Sequence, residues 1–221
     1  MLYSLDKVSL LLILPILIVF LGAQIFLRSF GIGDPKLRIH PNLQIYPNDT
    51  SKIYKHLFFG AVILTFSYLV FQSFQQYWAW AGNELSKNLL PPYQTNYFIF
   101  YVFTRFFAPY LISLAAALVF LFSAKILNKK YEERFFYPEE IYLGASAIFL
   151  SGHPGWLFYV VFLLVVYVLV QLFFVAKYSI LNTQYSSPRL SLYWLWIPVA
   201  IIVIILMNWL KTLPWWNLLK I

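Results

Sequence analysis

The 221-residue chain contains no cysteine. That excludes a structural disulfide, a thiolate metal site and a cysteine nucleophile together. Charge is scarce too: 11% of residues are charged, against about 25% in an ordinary soluble domain. A chain that is 62% apolar cannot cover a water-facing surface with polar groups. Histidine is limited to His40, His56 and His153. No second histidine lies near His153, which makes a metal site unexpected, and none sits mid-span to serve as an axial haem ligand. No phosphate-binding loop or complete catalytic motif is present, and no cofactor is expected.

What the chain does have is long uncharged runs, at residues 8–27, 57–83, 106–124, 141–176 and 190–210. Each is close to or above the ~20 residues a helix needs to cross ~30 Å of hydrocarbon. In lipid every backbone polar group needs an internal partner, so a helix bundle or a closed barrel are the options. A barrel would alternate apolar and polar residues, and residues 8–20 and 160–170 do not. The reading is an all-α integral membrane protein, a single transmembrane domain over residues 1–221. It is a bundle of five to six transmembrane helices, one of them short or re-entrant.

The helices are expected at about 8–30, 54–78, 97–125, 138–152, 156–177 and 190–210, with an interfacial tail at 212–221. The first run reads as an uncleaved helix, because it exceeds the 7–15 residues typical of a signal peptide's apolar core. Gly31, Gly33 and Pro35 stop it. A polar connector follows to residue 54. Tyr77, Trp78 and Trp80 mark an aromatic belt. Lys125 to Glu140, with charge of both signs, reads as a solvated membrane-surface segment. Pro138 suits a first helical position, with Glu139 and Glu140 in the first turn where the helix dipole favours anions. Gly152, Pro154 and Gly155 break the run 141–176. The segment before the break, about 22 Å long as a helix, is therefore a short tilted span or a re-entrant half-helix. Gly144, Ala147 and Ser151 form a face of small residues suited to close packing between the neighbouring helices 97–125 and 156–177. Pro198 is expected to kink the last helix.

The formal charge of +8 fits basic loops facing anionic lipid, not nucleic acid. With residues 31–54 and 125–138 in the cytoplasm, eleven Lys and Arg residues lie inside and four outside. The N-terminus is then outside, in a plasma or inner membrane. The expected partners are the bilayer and other membrane subunits.

Several residues stand out as ligand or pore candidates. Tyr68, Gln72, Gln75 and Gln76 share one helical face. Arg105 lies either inside a helix that begins near Tyr97, as an anion site or buried ion pair, or at the outer boundary of a span over 106–124. His153 sits in the turn after the short helix, as a hydrogen-bonding turn residue or, if that helix is re-entrant, a pore or substrate residue. The 47 aromatic residues fit interfacial belts and lipid-facing packing.

Gly31-Ile32-Gly33-Asp34-Pro35-Lys36-Leu37 resembles the Gly-x-Gly-Asp-x-Lys-Leu motif of prepilin peptidases, intramembrane proteases in which two aspartates share a proton and activate water. Residues 140–155 are similar in rhythm to the stretch after a catalytic aspartate in that family, with Glu140 at the aspartate's place. The resemblance implies catalytic roles for Asp34 and Glu140. It covers little of the chain. A polar connector also follows Asp34 where the family continues with an apolar helix. Three functions are thus open: a non-enzymatic structural or partner-binding subunit, a small transporter or channel-like protein, and a divergent intramembrane aspartyl peptidase.

Overall fold

The computed structural model describes residues 2–29, 47–131, 135–180 and 192–210. Among them there are only helices and turns, with no strand. Helix α1 is Leu2–Ser29, α2 Pro47–Ala81, α3 Thr95–Val102, α4 Ala108–Lys130, α5 Pro138–Ser151, α6 Gly155–Ile180 and α7 Trp196–Leu210. Five stretches are long and apolar enough to cross a membrane: Leu10–Leu27, Thr50–Ala81, Asn96–Lys130, Gly155–Ala176 and Leu192–Trp209.

Three boundaries differ from expectation for identifiable reasons. The connector after α1 is shorter than its composition implied, because α2 begins at Pro47, a residue whose missing N–H costs nothing in a first helical turn. Helices α3 and α4 form one rod interrupted by a π turn at Phe103–Phe107. Pro109 follows directly, and an α-helical proline there would clash with the carbonyl of Arg105; the widened turn accommodates it. Pro198 lies in the first turn of α7, not mid-helix, because a 3₁₀ turn at Leu192–Trp194 takes up the preceding residues. At that position the proline breaks no helical bond, and the expected kink has no cause.

Helix α5 is the centre of the molecule. It packs against α1, α2, α4, α6 and α7. Every residue from Glu139 to Leu150 is buried. Its small residues are therefore not confined to one contact face. Gly144 lets the rings of Phe120 and Trp196 approach so closely that a Cβ there would meet Phe120 Cε1 at 2.7 Å and Trp196 Cζ3 at 2.9 Å. Helix α4 runs antiparallel to α5: Lys125 lies over the Tyr142 ring at 5.1 Å, Phe120 meets Gly144, and Tyr110 packs on Phe149 at 6.2 Å. On α2, Phe58 and Phe66 both pack on Phe149, at 6.5 and 6.3 Å. Gly152 ends α5 with φ +63° and ψ 170°, a conformation almost restricted to glycine. Beyond that level α2 and α3 continue as a hairpin with its own apolar cluster of Leu69, Val102 and Phe106.

Candidate functional site

The polar groups of the core gather at the N-terminal end of α5. Glu140 is 1% exposed. Its Oε2 accepts a hydrogen bond from the Tyr137 N–H at 3.0 Å and its Oε1 one from the Tyr193 N–H at 2.9 Å. The first of these is half of a capping box, produced by spacing alone, since Glu140 is the third residue of the helix that Tyr137 caps. The second reaches across 53 residues to the 3₁₀ turn ahead of α7. Glu139 is buried as well, 4% exposed. The expectation that this segment is solvated is thus overturned for both carboxylates. A helix N-terminus supplies the N–H donors and the positive end of the dipole that make a buried carboxylate tolerable.

Tyr193 ties this end of the bundle together. Its carbonyl accepts from Gln24 Nε2 at 2.6 Å, and its hydroxyl donates to the Gln24 carbonyl at 3.2 Å. With its proton so used, the hydroxyl accepts from Tyr54 at 2.6 Å. One residue therefore holds α1, α2 and α5 in register. Gln24 Oε1 is buried and has no hydrogen-bond partner among the described residues. Nearby, Asn128 bridges the chain between α4 and α5, donating to the Phe136 carbonyl at 2.6 Å and accepting from its N–H at 3.0 Å.

Of the residues singled out in the sequence, Glu140 belongs to this network, and the others that are described are dispersed. Asp34 lies outside the described residues. Gln72 is buried and donates to Tyr68 Oη at 3.2 Å, Gln75 is exposed and Gln76 half-buried, so the stripe does not line one path. His153 is exposed at the opposite end of α5 from Glu140. Arg105 is exposed within the π turn and has no hydrogen bond or ion pair with a described residue. Among the described residues no three His, Asp or Glu side chains form a group that could hold a metal ion.

The network partners Gln24, Tyr54 and Tyr193 were not visible as site residues beforehand. Gln24 is the one amide in the run 8–27 and was a usable signal. The two tyrosines look like any other interfacial aromatic.

Chemically, this centre holds helices together. Both Glu140 oxygens accept backbone N–H groups. Neighbouring helical positions point about 100° apart, so Glu139 and Glu140 are not arranged as a facing pair. The side chain that α1 brings to Tyr193 is an amide, not a second carboxylate. Comparison of the chain with protein-family models, with curated proteins and with solved structures finds no match to any of them.

Proposed function

We propose that this chain is a multi-pass integral membrane protein acting as a non-enzymatic structural or partner-binding subunit. The observation that carries this reading is the use made of the buried polar groups. Glu140, Tyr54, Tyr193 and Asn128 are engaged in joining helices and connections, and each Glu140 oxygen accepts a backbone N–H. The outward faces of the apolar helices remain as the surfaces for lipid and for other membrane subunits. Purification in mild detergent tests it: another membrane subunit at fixed stoichiometry is expected, and a monodisperse chain alone would count against the reading.

The orientation proposed has the N-terminus outside and residues 31–54 and 125–138 in the cytoplasm of a plasma or inner membrane, following the excess of Lys and Arg on that side. An Asn48→Cys variant should resist a membrane-impermeant thiol reagent in intact cells. Labelling from outside would reverse the orientation.

A second reading, the divergent aspartyl peptidase, is favoured by one observation: Glu140 is fully buried, next in sequence to another buried carboxylate. It requires that Glu140→Gln, with folding retained, abolish cleavage of a peptide substrate. Absence of cleavage by the parent chain, or cleavage that survives the substitution, removes it.

A further inference from the structure

Arg105 is an exposed cation on a rod whose other exposed residues nearby are mostly apolar. Phe100 and Phe103 precede it and Leu111 and Ile112 follow, all exposed, at 67%, 51%, 39% and 45%. The next charge along the rod is Lys125, twenty residues on and about 30 Å away by helix rise. On α2 the charge-free stretch begins after Lys55 and reaches past Gln72 and Gln75.

The two helices are in register at this height. Phe66 stacks on Phe107 at 6.3 Å and Tyr77 packs on Phe98 at 5.7 Å. Arg105 lies between those contacts, close to the first, at the level where α2 carries Tyr68, with Gln72 and Gln75 nearer the hairpin tip. Above it, toward the hairpin tip, come the aromatic rings of Trp80, Tyr97 and Tyr101, with Trp80 at 6.1 Å from Tyr97 and 4.9 Å from Tyr101. The distance from Lys125 to Arg105 equals the thickness of a hydrocarbon core. Arg105 therefore stands where acyl chains meet headgroups, below a layer of aromatic rings.

A guanidinium with no ion pair among the described residues, at the level of the lipid phosphates, is placed to pair with one. We infer that Arg105 binds the phosphodiester of a membrane glycerophospholipid in the leaflet on the side of the α2–α3 hairpin. The planar fork matches two phosphate oxygens. The exposed side chains of Leu111 and Ile112, on the Lys125 side of Arg105, offer the acyl chains a surface, which is why the occupant is a lipid and not phosphate from solution. The inference rests on the membrane reading above.

The test uses the full chain and the variants R105Q and R105K, with K87Q in the loop of the hairpin as a control. Membranes are first washed with alkaline carbonate. Release of the parent chain would sink the membrane reading itself. The chain is then extracted in detergent, and bound phospholipid is counted by native mass spectrometry. R105Q is expected to lose about one phospholipid per chain, with R105K losing less and K87Q none. Thermal unfolding is followed with added phosphatidylglycerol, phosphatidylcholine or inorganic phosphate. Both lipids should raise the Tm of the parent chain more than that of R105Q, and inorganic phosphate should raise neither. Equal lipid retention by R105Q and the parent, both monodisperse, overturns the inference. So does a Tm rise with inorganic phosphate as large as that with lipid, which would mark a free-anion site. If R105Q is not monodisperse, R105K decides, and retention equal to that of K87Q with no smaller lipid-induced Tm rise overturns the inference.

Discussion

Helices α5 and α6 are consecutive, joined by a three-residue turn, and opposite in character. Helix α5 contains two glutamates, a glycine, two alanines and two serines, and it is buried on all sides. Helix α6 is almost wholly aliphatic and aromatic, yet only 11% of its apolar span is buried, the smallest share among the five long helices. In water the more apolar helix would be the core. Here apolar character marks the surface and small or polar residues mark the interior. That inversion is what a hydrocarbon solvent produces, since lipid competes equally for apolar side chains but not for close backbone contacts or hydrogen bonds.

The contrast can be broken most severely at Glu140. Glu140→Ala empties a buried site and strips the acceptor from two part-buried N–H groups, at an expected cost of about 4 kcal/mol, read as loss of thermal stability in detergent. Glu140→Gln keeps one acceptor and should cost less. Gly144→Leu drives side-chain atoms into Phe120 and Trp196, for about 3 kcal/mol by the same assay. Asn128→Ala releases both bonds to Phe136 and should cost about 2 kcal/mol, with faster proteolysis of the chain between α4 and α5 as its local signature. Tyr54→Phe removes one hydroxyl from the cluster and should cost about 1 kcal/mol. Val165→Leu on the exposed face of α6 should change stability by no more than about 0.5 kcal/mol. A Val165 effect equal to that of Gly144 would erase the distinction between the two helices.

Much of this architecture is legible in the chain. Uncharged runs of sufficient length locate the apolar helices, and the Gly-Pro break before α6 fixes where α5 must end. Small residues give α5 away as closely packed. The sequence could not say that its contacts extend to α1, α2 and α7, because those contacts join residues far apart in the chain. Nor could it place Glu139 and Glu140 inside. A run of mixed charge reads as solvated unless one knows that a backbone N–H from residue 193 comes to meet it. The π turn is half-legible: Pro109 signals a disturbance, and only packing decides its form. Of the candidate residues, Glu140 stands in the converging network, while Gln72, Gln75, Gln76, Arg105 and His153 are dispersed. The residues that do converge include two tyrosines with no distinguishing local pattern.

The Tyr193 clasp has a consequence for biogenesis. Its bonds to Gln24, Tyr54 and Glu140 span 169, 139 and 53 residues. A ribosome delivers Tyr193 after the first six helices. Until then Glu140 has its local cap on Tyr137 but lacks the N–H that Tyr193 brings, and the rings around Gly144 lack Trp196. The helices made earlier are thus held as an unlatched assembly, and α7 closes it. Nascent chains stopped before residue 192 should offer quality-control proteases a charged, loosely packed α5. Chains only twenty residues longer should not, which makes the synthesis of residues 192–210 the step that commits the protein to persist.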